Sequence, residues 1–172
     1  TSPQALCEAV VREGAELGIA FDGDGDRVLM VDSRGELVDG DQLLYVIARS
    51  RVQAGAFRGE VVGTLMSNLG LEVALKRLGI GFVRTQVGDR YIMDYLKQTD
   101  GILGGEPSGH IICRDRTTTG DGIVAALQVL AALQRLDCTL DALCAEVEHY
   151  PQVLVNVRIQ ERRDILGLAV IQ

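Results

Sequence analysis

The chain has 172 residues and a formal net charge of −7, from 17 basic and 24 acidic side chains. Because no basic stripe offsets this acidic balance, charge-driven binding of nucleic acid is not expected, and no apolar run is long enough to span a membrane. Only 4% of the residues are aromatic, so the core must be aliphatic, as is typical of buried parallel strands covered by helices. The four cysteines form no CxxC pair, which predicts reduced thiols and a cytoplasmic location.

Strands and helices alternate along most of the chain. Hydrophobic periodicity and turn residues predict strands over residues 17–21, 27–32, 37–38, 60–65, 82–85, 101–105, 109–113 and 152–159. Cap residues predict helices over 3–14 (Ser2 as N-cap, Pro3 first), 42–52 (Asp41 as N-cap), 69–78 (Asn68 or Ser67 as N-cap), 89–97, 120–136 and 140–147. The alternation from 41 to 136 indicates an α/β layer domain.

The predicted elements fall into three units. Residues 1–39 supply one helix and three strands, too few to bury a core alone, so we expect them to close a preceding domain. Residues 40–148 form the α/β domain, and residues 149–172 lead into a further unit. The chain is thus expected to be a fragment of a longer protein.

The most informative segment is Asp22-Gly23-Asp24-Gly25-Asp26-Arg27, here called the acidic loop. Its carboxylates repel one another by about 1 kcal/mol per pair even at the dielectric constant of water. A divalent cation removes this repulsion, since Mg2+ and Ca2+ prefer carboxylate oxygens. The two glycines let the backbone turn tightly, and the apolar flanks put the loop at a strand end, where α/β ligand sites form. The sequence therefore predicts a metal site formed by Asp22, Asp24 and Asp26.

Three other interpretations of the acidic loop are open. An EF-hand is disfavoured because Arg27 and Ser33 stand where that loop needs Gly and Glu. A phosphatase with Asp22 as its nucleophile fits the Asp-x-Asp pattern, with Asp89 and Asp94 as its second acidic pair. An acidic surface turn is the simplest alternative, but the apolar flanks argue against it.

A second glycine-rich segment, residues 105–110, is here called the GEPSGH loop. If it is extended, Glu106, Ser108 and His110 point to one side and present polar groups suited to a polyhydroxylated ligand such as a sugar. The alternative is a glycine-rich turn with incidental polar residues.

Two more loops carry weaker signals. In residues 85–91, Gly88 could admit an anion at the start of a helix, with Arg90 supplying charge. The alternative is a plain loop in which Asp89 caps the helix. Residues 117–122 are most simply the cap of the long helix that follows.

In this order, the segments resemble those of the α-D-phosphohexomutases. The acidic loop resembles their metal loop, and the GEPSGH loop resembles their sugar-binding loop. The resemblance covers nearly the whole chain and is closest to the phosphoglucosamine mutase branch, through residues 38–42 (VDGDQ), 66–72 (MSNLGLE), 87–91 (VGDRY), 118–122 (TTGDG) and 150–153 (YPQV).

The resemblance implies a four-domain parent protein. Residues 1–39 would end its second domain, residues 40–148 would be its third, a three-layer α/β/α domain with a mixed sheet, and residues 149–172 would lead into its fourth. The implied reaction interconverts glucosamine 6-phosphate and glucosamine 1-phosphate through a phosphoserine and a bisphosphate intermediate. A phosphoglucomutase or phosphomannomutase of the same family is the alternative.

The same resemblance implies the roles of individual residues. Asp22, Asp24 and Asp26 would hold Mg2+, Glu106 and Ser108 would bind sugar hydroxyls, and His110, Arg90 and Arg27 would contact the ligand or its phosphate. The implied partners are a phosphorylated amino sugar and the missing domains of the parent chain, with a homodimer possible and no nucleic acid or membrane partner.

The chain departs from the family pattern in two ways. Pro107 stands where the family usually has Gln, which stiffens the GEPSGH loop. None of the five serines lies in the family's Ser-His-Asn-Pro setting, so the nucleophile is absent from this chain. We therefore expect no catalytic nucleophile here and no mutase activity from this chain alone.

Overall fold

The structure, a computed structural model, describes residues 3–155. Its elements in chain order are α1 (Gln4–Glu13), β1 (Leu17–Phe21), β2 (Val28–Asp32), β3 (Leu37–Val38), α2 (Gly40–Gln53), β4 (Val61–Thr64), α3 (Leu69–Arg77), β5 (Phe82–Thr85), α4 (Asp89–Thr99), β6 (Leu103–Gly105), β7 (Ile111–Cys113), α5 (Gly122–Leu136) and α6 (Leu140–Cys144).

The strands form two sheets. The first is an antiparallel meander in the order β1-β2-β3, with Leu17 opposite Asp32 and Met30 opposite Val38. The second has the order β5-β4-β6-β7, in which β4 is parallel to β5 and β6 while β7 is antiparallel to β6. Parallel neighbours need crossover connections, which α3 supplies between β4 and β5 and α4 supplies between β5 and β6.

Helices cover both faces of the second sheet. Val61 and Ile111 pack into a large core with α2, α3, α5 and α6, whereas their sequence neighbours Val62 and Ile112 pack against α4. Because side chains alternate between the faces of a strand, this pattern places one helical layer on each side. The predicted three-layer α/β/α fold with a mixed sheet is confirmed.

The first sheet shares the large core. Val28, Met30 and Val38 belong to it, because α5 lies against β1 and β2 while α1 covers the same two strands. These strands therefore bury apolar residues against helices that precede and follow them in the chain.

The prediction that Asp41 caps α2 was wrong, because Asp39 is the N-cap. The Asp39 carboxylate accepts a hydrogen bond from the Gln42 backbone N–H (2.9 Å), and the Gln42 side chain accepts one from the Asp39 N–H (3.2 Å). This reciprocal pair is a capping box. It leaves Asp41 free to form a buried contact elsewhere.

Other predicted boundaries differ by a few residues. Pro3 is the N-cap of α1 rather than its first residue, and α6 ends at Cys144 rather than at residue 147. Of the two caps predicted for α3, Asn68 is the one observed. Residues 151–155 are not in a strand, while Ser2 and the rest of the strand predicted over 152–159 lie outside the described residues.

Within residues 3–155, no helix combines the length and apolarity needed to cross a bilayer. All four cysteines are free thiols.

Candidate functional site

The acidic loop connects β1 to β2 through a tight turn. Oδ1 of Asp22 accepts hydrogen bonds from the backbone N–H groups of Gly25 (3.1 Å) and Arg27 (3.2 Å), and Gly25 has φ 76°. Desolvation alone would raise the pKa of Asp22, but the Arg27 N–H, Asp26 and the Gly25 N–H together hold that pKa below its usual value. The Asp22 carboxylate is thus organised in its ionised form.

The three predicted carboxylates converge. One oxygen from each of Asp22, Asp24 and Asp26 lies within 4.8 Å of the others. Oδ1 of Asp26 is buried and has no hydrogen-bond partner among the described residues, an arrangement that is costly without a compensating charge. An all-oxygen donor set with one unsatisfied carboxylate oxygen fits a hard cation such as Mg2+.

His110 contacts the third of these carboxylates. Its side chain is buried, with 5% of the residue exposed, and its Nδ1 lies 3.1 Å from Oδ2 of Asp26. Gly120 makes this position possible, because a Cβ there would overlap the imidazole ring. His110 Nε2 has no hydrogen-bond partner among the described residues, and its nearest carboxylate oxygen is that of Asp89, at 3.9 Å.

The GEPSGH loop is a turn, as the alternative interpretation held, and it lacks the extended conformation on which a one-sided arrangement of Glu106, Ser108 and His110 depended. The N–H of Gly109 donates to the carbonyl of Glu106 (3.0 Å), which places Pro107 at the second turn position that proline favours. Gly109 has φ 89°, a conformation that glycine adopts readily. The side chains therefore diverge instead of lining one side.

Each predicted sugar-binding residue has its own surroundings in this turn. Glu106 accepts a hydrogen bond from the backbone N–H of Gly88 (3.0 Å), which ties residues 85–91 to the GEPSGH loop. Ser108 is exposed, whereas His110 turns inward to Asp26. Of the three, only His110 contacts a carboxylate of the acidic loop within the described residues.

Backbone hydrogen bonds join the acidic loop to two distant segments. The Val28 N–H donates to the Gly109 carbonyl (3.1 Å), and the Gly122 N–H donates to the Gly25 carbonyl (2.9 Å). Arg27 and His110 also form an antiparallel bridge. The site is therefore assembled from three parts of the chain at the N-terminus of α5, where the helix dipole favours negative charge.

The two predicted arginines project into solvent. The Arg27 side chain is 54% exposed, and its Nε lies 3.8 Å from Oδ2 of Asp22. The Arg90 side chain is 85% exposed and lies 3.8 Å from Asp94 on the same helix. Arg27 therefore adjoins the carboxylates, whereas no contact brings Arg90 to them.

Asn68, predicted only as a helix cap, joins three of the family-like segments. Its Oδ1 accepts from the N–H groups of Gly70 (2.9 Å) and Tyr150 (3.1 Å), and its Nδ2 donates to the Tyr150 carbonyl (2.7 Å). The Asn68 N–H in turn donates to Asp41 Oδ2 (2.6 Å). Burial, and to a lesser degree the charge of Asp39, raises the pKa of Asp41 to about 6.

Comparison with known families gives a match over most of the chain. Residues 39–150 match the family described as phosphoglucomutase/phosphomannomutase, alpha/beta/alpha domain III. The phosphoglucosamine mutase of Methylococcus capsulatus is 58% identical over all 172 residues, which span 38% of its own length.

Solved structures of the same kind have a similar fold. A phosphoglucomutase/phosphomannomutase family protein from Burkholderia thailandensis superimposes with a TM-score of 0.72 and 25% identity, over 86% of this chain and 33% of that one. The N-acetylphosphoglucosamine mutase of Aspergillus fumigatus, in complex with GlcNAc-6P and magnesium, gives a TM-score of 0.69 and 23% identity, over 84% and 38%. At this identity the second comparison bears on the fold alone.

Proposed function

The chain belongs to the phosphoglucomutase/phosphomannomutase family, and from that premise we propose that it is part of a phosphoglucosamine mutase. The parent enzyme interconverts glucosamine 6-phosphate and glucosamine 1-phosphate. The relative that is 58% identical over the whole chain carries that name, which favours the amino sugar over a neutral hexose phosphate. Because the chain spans 38% of that relative's length, further domains of the parent complete the site.

The observation that carries this proposal is the joining of the acidic loop to the GEPSGH loop. Asp22, Asp24 and Asp26 would hold Mg2+, which lowers the cost of charge developing on a phosphoryl group in transfer. Arg27, beside Asp22, binds a phosphate oxygen through its guanidinium group.

The remaining predicted residues bind and orient the sugar. Glu106 and Ser108 accept and donate hydrogen bonds to its hydroxyl groups in either orientation, and Arg90 reaches its phosphate from the exposed start of α4. His110 acts through Asp26, whose carboxylate it orients. The phosphoryl group moves from a serine oxygen to one sugar hydroxyl, and the phosphate at the other end of the bisphosphate returns to the serine.

An aspartyl phosphatase is less well supported. Oδ1 of Asp22 already accepts two backbone N–H groups, which stabilise its charge and reduce its nucleophilicity. Because no serine of this chain has the family's nucleophile setting, the chain alone forms no glucosamine 1-phosphate.

We further assign the parent enzyme to the cytoplasm.

Calorimetric titration with Mg2+ tests the metal site directly. We expect one saturable site in the chain, lost in Asp24→Asn and kept in the control Asp94→Asn, which changes an exposed carboxylate outside the cluster. Unchanged binding in Asp24→Asn would contradict the metal assignment. Glucosamine 1-phosphate formed from glucosamine 6-phosphate by the purified chain would contradict the expected inactivity.

A further inference from the structure

A polar cavity lies on the domain far from the acidic loop. It has a volume of about 240 Å³, and its polar lining consists of Ser50, Arg51, Asp115, Arg116, Gln128 and Arg135. Its apolar wall is Ile47 with three alanines. Gly122, at the other end of α5, bonds the acidic loop, so Arg135 lies about 20 Å away along the helix at 1.5 Å per residue. This cavity is here called the arginine pocket.

The arginine pocket carries more positive charge than its one carboxylate can balance. The Asp115 carboxylate forms ion pairs with two guanidinium groups. Its Oδ1 lies 3.0 Å from Arg51 Nη1, and its Oδ2 lies 3.3 Å from Arg116 Nε. Arg135 donates to the neutral hydroxyl of Ser50 (2.8 Å). Three guanidinium groups facing one carboxylate give a local charge of +2 in a chain whose net charge is −7.

The central arginine is buried with an unused donor. Arg51 is 6% exposed, and its Nη2 makes only a long hydrogen bond to Gln128 Oε1 (3.3 Å). Its Nη1 is close to Asp115 but has no aligned hydrogen-bond acceptor within residues 3–155. Buried donors without acceptors cost free energy, and an anion in the cavity would supply the acceptor.

Helix dipoles explain only part of this arrangement. Arg51 and Arg135 lie in the last turns of α2 and α5, where cations offset the partial negative charge of a helix C-terminus. That effect accounts for neither Arg116, which follows β7 in a loop, nor the open cavity between the three side chains.

We infer that the arginine pocket binds a small dianion of the phosphate class. The guanidinium fork matches phosphate oxygens in bidentate geometry, and three of them supply the charge that a dianion requires. Typical sites for drug-sized ligands measure about 300–1,000 Å³, so a cavity of about 240 Å³ suits inorganic phosphate or a compact phosphate ester rather than a nucleotide.

Amide NMR of the isotopically labelled chain tests this inference. The titrant is inorganic phosphate, in EDTA so that no metal ion bridges phosphate to the acidic loop, at constant ionic strength. We expect saturable shifts at Asp115, Arg116 and Gln128. The double variant Arg116→Gln/Arg135→Gln changes exposed side chains and should weaken binding at least tenfold, whereas Arg58→Gln, an exposed arginine elsewhere, should not.

Titrations with other anions under the same conditions identify the ligand class. Glycerol 3-phosphate binding at least as tightly as inorganic phosphate supports a compact ester as the natural ligand, while tighter binding of inorganic phosphate supports the free ion. Malonate binding as tightly as phosphate would overturn the phosphate class. Shifts confined to the acidic loop, the absence of saturation, or unchanged affinity in the double variant would overturn the site.

Discussion

Nδ1 of His110 lies 3.1 Å from Oδ2 of Asp26, so a residue of the GEPSGH loop positions a carboxylate of the acidic loop across 84 residues of sequence. The imidazole is buried, which restricts its freedom to rotate away. Residues that hydrogen-bond to metal ligands without touching the metal fix the orientation of those ligands and contribute substantially to metal affinity.

We expect His110→Ala to weaken Mg2+ binding by about 10- to 100-fold, because the Asp26 carboxylate loses its orienting donor. His110→Asn retains a donor near the Nδ1 position and should recover part of the affinity. Calorimetry measures both, with the exposed His149→Ala as the control. Equal Mg2+ affinity in His110→Ala and the unchanged chain would rule out the orienting role.

Asn68→Ala should lower the free energy of unfolding by about 2 kcal/mol, since it removes a helix cap and two hydrogen bonds to Tyr150. Urea denaturation measures this loss, and amide exchange at Tyr150 should accelerate at the same time. Gln98→Ala changes an exposed amide and should have little effect. Unaltered exchange at Tyr150 would show that Asn68 does not hold that segment.

Asp41→Asn should stabilise the protein above pH 6. Burial raises the pKa of Asp41 from 3.8 to about 6. Between pH 3.8 and pH 6 the native state therefore binds a proton at Asp41 that the unfolded state has lost. The contribution of Asp41 to stability is therefore full below pH 3.8, falls as the pH rises towards 6 and stays low above it.

The size of this effect is at most about 3 kcal/mol at pH 7, from about 1.36 kcal/mol per pKa unit. Asparagine keeps an oxygen that can accept from the Asn68 N–H, so only the charge is removed. Urea denaturation at pH 4 and pH 7 measures the difference, with Asp94→Asn as an exposed control. Equal effects of Asp41→Asn at both pH values would argue against titration of Asp41.

Pro107→Gln, which restores the residue usual in the family, should lower the free energy of unfolding by about 0.5 kcal/mol. Proline restricts the unfolded chain at a turn position that it fits without strain. Pro107→Ala should have a similar effect, because the cause is backbone entropy rather than a side-chain contact. Thermal denaturation compares the three proteins, and a more stable Gln variant would contradict this explanation.

The acidic loop could be predicted from the sequence because its three carboxylates are adjacent along the chain and convergence needs only a local turn. The contact of His110 with Asp26 could not, since it depends on how the two sheets pack. The turn in the GEPSGH loop has a local signal, Pro107 followed two residues later by Gly109, whereas the alternation of polar residues would also suit an extended segment, so the sequence left both conformations open.

The N-cap of α2 shows a similar limit. Asp39 and Asp41 are both suitable cap residues by type, and the reciprocal hydrogen bonds with Gln42 show that Asp39 is the cap. Gln42 lies three residues after Asp39, the spacing of a capping box. The role of Asp41 as a buried hydrogen-bond acceptor became visible only in the structure, through its contact with the Asn68 N–H.

The hydrogen bond from Gly122 to Gly25 has a consequence for how proteins of this family can diverge. The carboxylate cluster precedes the boundary predicted near residue 39, yet its shape depends on a helix terminus and a histidine that follow that boundary. Recombination between distant relatives at this point would join a cluster to a scaffold that had not evolved with it. Exchanges that keep residues 22–27 together with 105–122 should therefore survive more often than exchanges that separate them.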